Sequence, residues 1–272
     1  MNNSLRTKII AEIGWNHMGN MNLAERMIKA AAKNGADFCK FQTWSVENLK
    51  NGPWDDDGRR EIYEKAQLSE SDHIFLKKIC TKYKVGFFTS LFNINDVSML
   101  KKINKKIIKI PSHEIHNKIL IQKCLNNFEK VLISTGAAKW REIKNLLKLK
   151  NYKKKAILMH CVSSYPCDIK TINLPRIGAL KKISKEVGYS GHYHGVEDAL
   201  GAISLGCQYV EKHFTINRKL PGRDNKFAIL PDDLKNISNF RDLYQSMNTN
   251  KGLDLQTCEM STYKIYRGRW SK

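Results

Sequence analysis

A chain of 272 residues, 42% of them hydrophobic, can bury one large core, and α/β barrels of about 250 residues commonly form a single domain. That composition excludes a disordered chain, and no apolar run approaches the roughly 18 residues that a membrane span needs. The formal net charge of +21 favours anionic partners, but the lysines are spread through 101–106, 145–155 and 180–186 without a glycine-aromatic or zinc-finger signature, which argues for a solvated basic surface and against nucleic acid.

The opening residues, MNNSLRTKII, hold no apolar stretch of leader length, so a cytoplasmic protein is expected. A strand is predicted over 8–14 (KIIAEIG). An amphipathic helix follows over 23–35 (LAERMIKAAAKNG), with apolar positions at i, i+3, i+4 and i+7 and a glycine at its end. Further strands are predicted over 38–44, 85–91, 106–112, 130–136, 156–162, 186–192 and 209–215, with a helix-like segment over 195–206 before the last. Short Ile- and Val-rich strands alternating with longer amphipathic segments imply parallel βαβ units. Eight such units with no internal linker predict an α/β fold, a closed (β/α)8 TIM barrel in a single domain over 1–250, followed by a tail over 251–272. The seven cysteines are scattered without a C-x-x-C pair and read as reduced, buried small hydrophobes.

Polar residues gather at the C-terminal ends of these strands: Glu12, Lys40 and Gln42, Thr89 and Ser90, Lys109 and Ser112, Ser134, His160, Ser190 and His192, and His213. In barrels this rim carries the chemistry. Any one of them could instead be a satisfied polar group in the core or a helix cap. The segment VEKHFT raises the sharpest question, because a buried strand should not carry Glu211, Lys212 and His213 without partners. His192 and His213 fall on neighbouring strands about 4.8 Å apart, so their imidazoles can converge; two neutral imidazoles with oxygen ligands suit a borderline divalent ion. The alternative is a pair of core histidines bonded to backbone. Strand parity puts Ser190 beside His192 and Glu211 beside His213 on one face. Lys40 and Lys109, with Ser90, Ser112, Ser134 and Ser190, form a set of cations and hydroxyls that fits a phosphate monoester. Alternatively, the two lysines pair with Glu12 or Glu114 for structural reasons.

Seven motifs in order, IIAEIGWNHMG, GADFCKFQTW, KIPSHEI, LISTG, HCVSSYP, GYSGH and EKHFTINRKLPGRD, resemble the sialic acid synthase (N-acetylneuraminate synthase) family over nearly the whole chain. The resemblance implies a TIM barrel that condenses phosphoenolpyruvate with an N-acylated mannosamine or related amino sugar, using Mn2+ or Mg2+. It implies metal ligands at His192 and His213. Phosphoenolpyruvate would be held by Lys40, Ser90, Lys109, Ser112, Ser134, Ser163 and Ser190, and the acceptor sugar by Glu12, Gln42, Tyr165 and Asp224. Lys40 and Lys109 would stabilise the phosphate, and Glu114 would orient the acceptor or the attacking water. Legionaminic, pseudaminic or other acceptors are alternatives, as is a catalytically silent basic barrel that serves as a scaffold. Three positions depart from the family pattern: Gly191 replaces the Asp of GYSDH, His113 a Gly, and Asn225 a His. Residues 251–272 resemble the start of the linker that in the family leads to an antifreeze-like domain, where a dimer partner supplies an arginine over the sugar. A homodimer is one expectation. A more open acceptor site is another, with Arg223 as an internal substitute for that arginine.

Overall fold

The Ile- and Val-rich segments form eight strands: β1 Lys8–Gly14, β2 Phe38–Thr43, β3 Gly86–Leu91, β4 Ile107–Ile110, β5 Lys130–Ser134, β6 Ala156–Cys161, β7 Val187–Gly191 and β8 Tyr209–His213. Each pairs in parallel with the next, and β8 pairs with β1, so the sheet closes as the expected (β/α)8 barrel. This computed structural model describes residues 6–270; the first five residues, on which the absence of a leader was read, and the last two of the tail lie outside the described residues.

The helices are α1 Met21–Lys33, α2 Arg59–Ala66, α3 Glu70–Lys82, α4 Val97–Ile103 and α5 Lys118–Asn127, then α6 Trp140–Asn145, α7 Tyr152–Lys155, α8 Arg176–Lys181, α9 Glu197–Ser204 and α10 Pro231–Met247. The first shows why they form. The Asn20 side chain caps α1 by accepting from the Leu23 amide at 3.0 Å. Ala24, Met27, Ile28 and Ala31 then bury one stripe against the sheet. Gly35, at φ +92°, takes the left-handed turn after Asn34. Beyond α10 the chain makes two short turns, Thr257–Glu259 and Thr262–Tyr266, and residues 248–270 are exposed. No helix among the described residues is long and apolar enough to cross a membrane.

Burial falls in two cores. The larger lies between the strands and the helices. The smaller plugs the barrel lumen with Ile10, Phe88, Ile107, Leu132, Ile157, Met159 and Tyr209. Side chains two residues apart share a face of a strand, so each plug residue announces the residue above it: Ile10 is followed by Glu12, Phe88 by Ser90, Ile107 by Lys109, Leu132 by Ser134, Met159 by Cys161 and Tyr209 by Glu211. A polar layer thus rests directly on an apolar floor.

The same parity corrects two members of the expected ring. Thr89 and His160 point outward. The Thr89 hydroxyl meets that of Thr43 at 2.7 Å, and His160 Nε2 donates to the Ile172 carbonyl at 2.7 Å. Ser90 and Cys161, one residue further on in each strand, take the lumen positions.

Candidate active site

Above the plug opens a cavity of about 480 Å3. Its floor is a chain of alternating charges. Gln42 Nε2 donates to Glu12 Oε1 at 2.7 Å, and Lys40 Nζ lies 2.7 Å from Glu12 Oε2. Lys40 also donates to Ser90 Oγ at 2.8 Å and reaches Glu211 Oε1 at 3.5 Å. The same Glu211 oxygen takes Lys109 Nζ at 2.6 Å, and Lys109 donates to Ser190 Oγ at 3.1 Å. Lys40 is 2% exposed and Lys109 4%. Such burial is tolerable because two carboxylates match two ammoniums. The two carboxylates are not equivalent. Burial, working against Lys40, raises the Glu12 pKa above its ordinary value. Burial also pushes Glu211 up, but Lys109 and Lys40 together outweigh it and hold its carboxyl at about 2.

This answers the question of the charged strand. Glu211 faces the lumen and pairs with both lysines, Lys212 faces outward, and His213 reaches the rim. Lys40 pairs with Glu12, as the structural alternative required, while Glu211 stands where that alternative had Glu114. Glu114 is elsewhere. It is half-buried in the turn Ser112–Glu114, accepts from Asn117 Nδ2 at 3.0 Å, and is not among the residues lining the cavity. The orientation of this turn brings its neighbour His113 to the cavity instead, near the Phe92 ring at 6.4 Å.

The hydroxyls come from β3, β5, β7 and the turn after β4. Ser90, Ser112, Ser134 and Ser190 all line the cavity. Ser163 does not, although its hydroxyl lies close to that of Ser112 across Gly136: a Cβ added at Gly136 would meet Ser163 Oγ at 2.3 Å and Ser112 Oγ at 2.7 Å. A larger residue at 136 would force one of the two hydroxyls to move, and the buried Ser163 hydroxyl has no hydrogen-bond partner among the described residues.

The histidines stand at the ends of β7 and β8, His192 two residues after Ser190 and His213 two after Glu211. The ring centroids of His192 and His213 are 5.4 Å apart. His192 Nδ1 donates to the Val162 carbonyl at 2.7 Å. A carbonyl can only accept, so Nδ1 carries the proton and Nε2 keeps its lone pair. Burial, reinforced by His213, pushes the His192 pKa down to about 3 and keeps the ring neutral. His213 Nδ1 lies 3.2 Å from Asp224 Oδ2. Tyr165 covers both rings, at 4.1 Å and 6.4 Å. Two imidazoles, one with its outer nitrogen already engaged, fit a seat for a divalent ion. Among the described residues no group of three His, Cys, Asp or Glu side chains is arranged to hold one, so other ligands would have to come from substrate or water.

Loops and the short helix α2 make the mouth. Trp15, Arg59, Tyr63, Phe92, Arg223, Lys226 and Phe227 line it with Gln42, Tyr165 and Asp224. Trp15 packs on Tyr63 at 5.2 Å, and Arg223 lies 3.5 Å from Asp57, which also binds Arg59 at 2.7 Å. Asn225 fastens the loop after β8 by donating to the Pro221 carbonyl at 2.7 Å and the Asn16 carbonyl at 3.3 Å. Among these lining residues, Cys161 and Glu211 could have been found by strand parity. Trp15, Arg59, Tyr63, Phe92, Lys226 and Phe227 carry no periodic signal.

Comparison with known proteins is consistent across the chain. Residues 27–251 match the NeuB family. The chain is 35% identical over 246 residues to an N,N'-diacetyllegionaminic acid synthase of Campylobacter jejuni, covering 85% of this chain and 74% of that protein. It is 31% identical over 248 residues to a pseudaminic acid synthase of the same species, covering 86% and 72%. The crystal structure of a sialic acid synthetase from Leptospira borgpetersenii, in complex with citrate, superposes with a TM-score of 0.86 at 31% identity, covering 97% of this chain and 94% of that one. The chain therefore belongs to the NeuB family, that of the sialic acid synthases, and is an enzyme of the phosphoenolpyruvate-condensing kind.

Proposed function

We propose that the chain condenses phosphoenolpyruvate with an N-acylated mannosamine-type sugar to give a nonulosonic acid and inorganic phosphate, with Mn2+ or Mg2+ held by His192 and His213. The observation that carries this reading is the pair of buried ammoniums, Lys40 and Lys109, set among cavity hydroxyls with the imidazoles of His192 and His213 lining the same cavity. Relatives named as legionaminic and pseudaminic acid synthases make other amino-sugar acceptors the nearest alternatives.

Each part of the cavity has a task in this reaction. The phosphate sits against Lys40 and Lys109, with Ser112, Ser134 and Ser190 as hydroxyl donors. Five cations line the cavity (Lys40, Arg59, Lys109, Arg223, Lys226) against three carboxylates (Glu12, Glu211, Asp224), an excess of two positive charges that favours an anionic substrate. The divalent ion, when bound, supplies a Lewis acid for the acceptor's aldehyde oxygen. The enol carbon C3 of phosphoenolpyruvate forms a bond to the aldehyde carbon, the aldehyde oxygen becomes a hydroxyl, a water oxygen adds at C2, and phosphate departs. Glu12, Gln42, Tyr165 and Asp224 orient the open-chain sugar at the mouth. Glu114 orients the acceptor or the water only if its turn moves toward the cavity when substrate binds.

The test is phosphate release from phosphoenolpyruvate with a panel of N-acyl hexosamines, in chelated protein with and without added Mn2+. Release that needs both an amino sugar and the metal is the expected result. Failure with every acceptor, or release with no acceptor, would sink the reading.

A further inference from the structure

The strand that carries Glu211 into the cavity turns Lys212 the other way, into the layer between the barrel and the helices. Lys212 is 3% exposed there, and its ammonium is fully used. It donates to Asp198 Oδ1 at 2.9 Å, to Asp198 Oδ2 at 2.8 Å and to the Tyr193 carbonyl at 2.5 Å. Asp198, in the first turn of α9 and 2% exposed, also accepts from the Tyr189 hydroxyl of β7 at 2.9 Å. An ammonium buried here without a counter-charge would be very costly, so the carboxylate is required.

The location of this pair gives it a bearing on the active site. Tyr193 directly follows His192, and Lys212 directly precedes His213, so one ammonium ties together the two backbone segments that carry the imidazoles. Across the sheet, the register partner of Lys212 is Gly191. A Cβ added at Gly191 would lie 2.3 Å from Asp198 Oδ2 and 2.6 Å from Tyr189 Cε1. The space that a side chain at 191 would enter is filled by a carboxylate arriving from α9. The strand sequence GYSGH lacks the carboxylate of the GYSDH pattern at this residue, and Asp198 lies at the same station.

We propose that Asp198 is a positioning residue for the His192 and His213 pair, delivering from α9 the counter-charge to Lys212 that a strand carboxylate at 191 would otherwise supply. The proposal deepens the metal-site reading above and rests on it for its functional readout. Its structural content, one carboxylate station filled from either of two elements, stands on the contacts just described.

Four proteins form the test: the parent chain, Asp198→Ala, Gly191→Asp, and the double variant Gly191→Asp/Asp198→Ala. Each is stripped of metal and titrated with Mn2+, with free Mn2+ read by electron paramagnetic resonance. Asp198→Ala is expected to weaken Mn2+ binding about 10- to 100-fold, the range for losing a group that orients a ligating histidine. Gly191→Asp is expected to weaken it too, because two carboxylates crowd one ammonium. The double variant should return to within about threefold of the parent, since the two changes share one partner and are not additive. A double variant no better than Asp198→Ala, or an Asp198→Ala protein that binds Mn2+ like the parent, overturns the proposal. Should Asp198→Ala not fold, Asp198→Asn keeps the side-chain shape and is held to the same outcomes. A second readout needs no metal: the His192 Nδ1–H signal in 15N NMR, which should shift or broaden in Asp198→Ala and return in the double variant. If the parent binds no Mn2+, the metal reading fails and this signal decides alone. Its return upholds the positioning role, and its failure to return overturns it.

Discussion

Glu211 and Lys212 are consecutive residues of one strand, both buried and both in ion pairs, yet they face different worlds. Lys212 looks outward into a sealed layer where Asp198 and the Tyr193 carbonyl take every proton of its ammonium. Glu211 looks inward and spends one oxygen on Lys109, Lys40 and Ser190, while Oε2 has no hydrogen-bond partner among the described residues. A saturated ion pair holds backbone in place. An unsaturated one at a cavity floor keeps binding capacity in reserve, because its open carboxylate oxygen can still accept from a hydroxyl or a water. Burial alone does not separate the two, since both residues are 2–3% exposed; the count of unfilled hydrogen-bonding positions does.

The comparison breaks most sharply at the rim of the inward face. His213→Ala is expected to abolish metal-dependent turnover, a loss of at least about 1000-fold, because a ligand is removed from a two-imidazole seat. The barrel should remain, with an unchanged far-ultraviolet circular dichroism spectrum and a melting temperature lowered by only a few degrees. Full activity in chelated and Mn2+-repleted His213→Ala protein would remove that histidine from the metal site.

Lys109→Met comes next and separates substrates. Because Lys109 is assigned to the phosphate, the variant should raise the KM for phosphoenolpyruvate far more than that for the sugar, with about a 100-fold loss in kcat/KM for phosphoenolpyruvate. It also leaves Glu211 with the 3.3 Å hydrogen bond from Ser190 Oγ and the 3.5 Å contact to Lys40, so a stability loss approaching the ~3–5 kcal/mol of a broken buried pair should accompany it. Equal shifts in the two KM values would mean that Lys109 is a structural cation, like Lys212.

The inward face was readable in the sequence because the period of a strand is two. Once Ile10, Ile107 and Tyr209 are seen as apolar lumen positions, Glu12, Lys109 and Glu211 follow. Thr89 and His160 were misplaced where residue type was weighed without parity. The mouth is a different problem. Trp15 and Phe227 come from loops and Arg59 and Tyr63 from the short helix α2, all placed by contacts distant in sequence, such as Asn225 reaching the Asn16 carbonyl. Glu114 illustrates the boundary. Two residues beyond Ser112, it lies in a short turn where alternation no longer applies, and the turn directs it to Asn117. Asp198 gave no signal either, since an acidic residue in the first turn of a helix is ordinarily explained by the helix dipole.

Acid unfolding offers a smaller and cleaner contrast within the floor. The Glu211 carboxyl, held at about 2 against an ordinary 4.5, contributes stability that is present above pH 4.5 and is lost as pH falls toward 2. The shift corresponds to about 3 kcal/mol. Glu12 is shifted the other way, so its contribution is fully present below pH 4.5 and is lost as pH rises through its folded-state value. Denaturant unfolding at a series of pH values should therefore find the limb below pH 4.5 flattened in Glu211→Gln, while Glu12→Gln alters only the limb above it. A Glu211→Gln protein with the parent's acid limb would show that the lysines do not hold this carboxyl down.

The smallest effect is expected at the mouth, where Arg223→Ala removes a cation whose side chain is 53% exposed and whose one ion-pair partner among the described residues is Asp57 at 3.5 Å. An exposed pair of that geometry contributes about 0–1 kcal/mol to stability, so melting should not change measurably. In the proposed reading it faces the acceptor: Arg223 shares the mouth with Asp224, which lies against His213, and among the described residues it makes no ion pair with Glu12 or Glu211 of the floor. A charged hydrogen bond to the sugar is worth about 1.5–3 kcal/mol when well formed, and a partly solvated one less. Arg223→Ala should therefore raise the KM for N-acetylmannosamine by about 3- to 10-fold and leave the KM for phosphoenolpyruvate unchanged. Steady-state kinetics with each substrate varied in turn reads both numbers. An unchanged sugar KM would make Arg223 a solvated loop residue, and a shift in the phosphoenolpyruvate KM would mean that the charge of the mouth reaches the floor, erasing the division between the two regions.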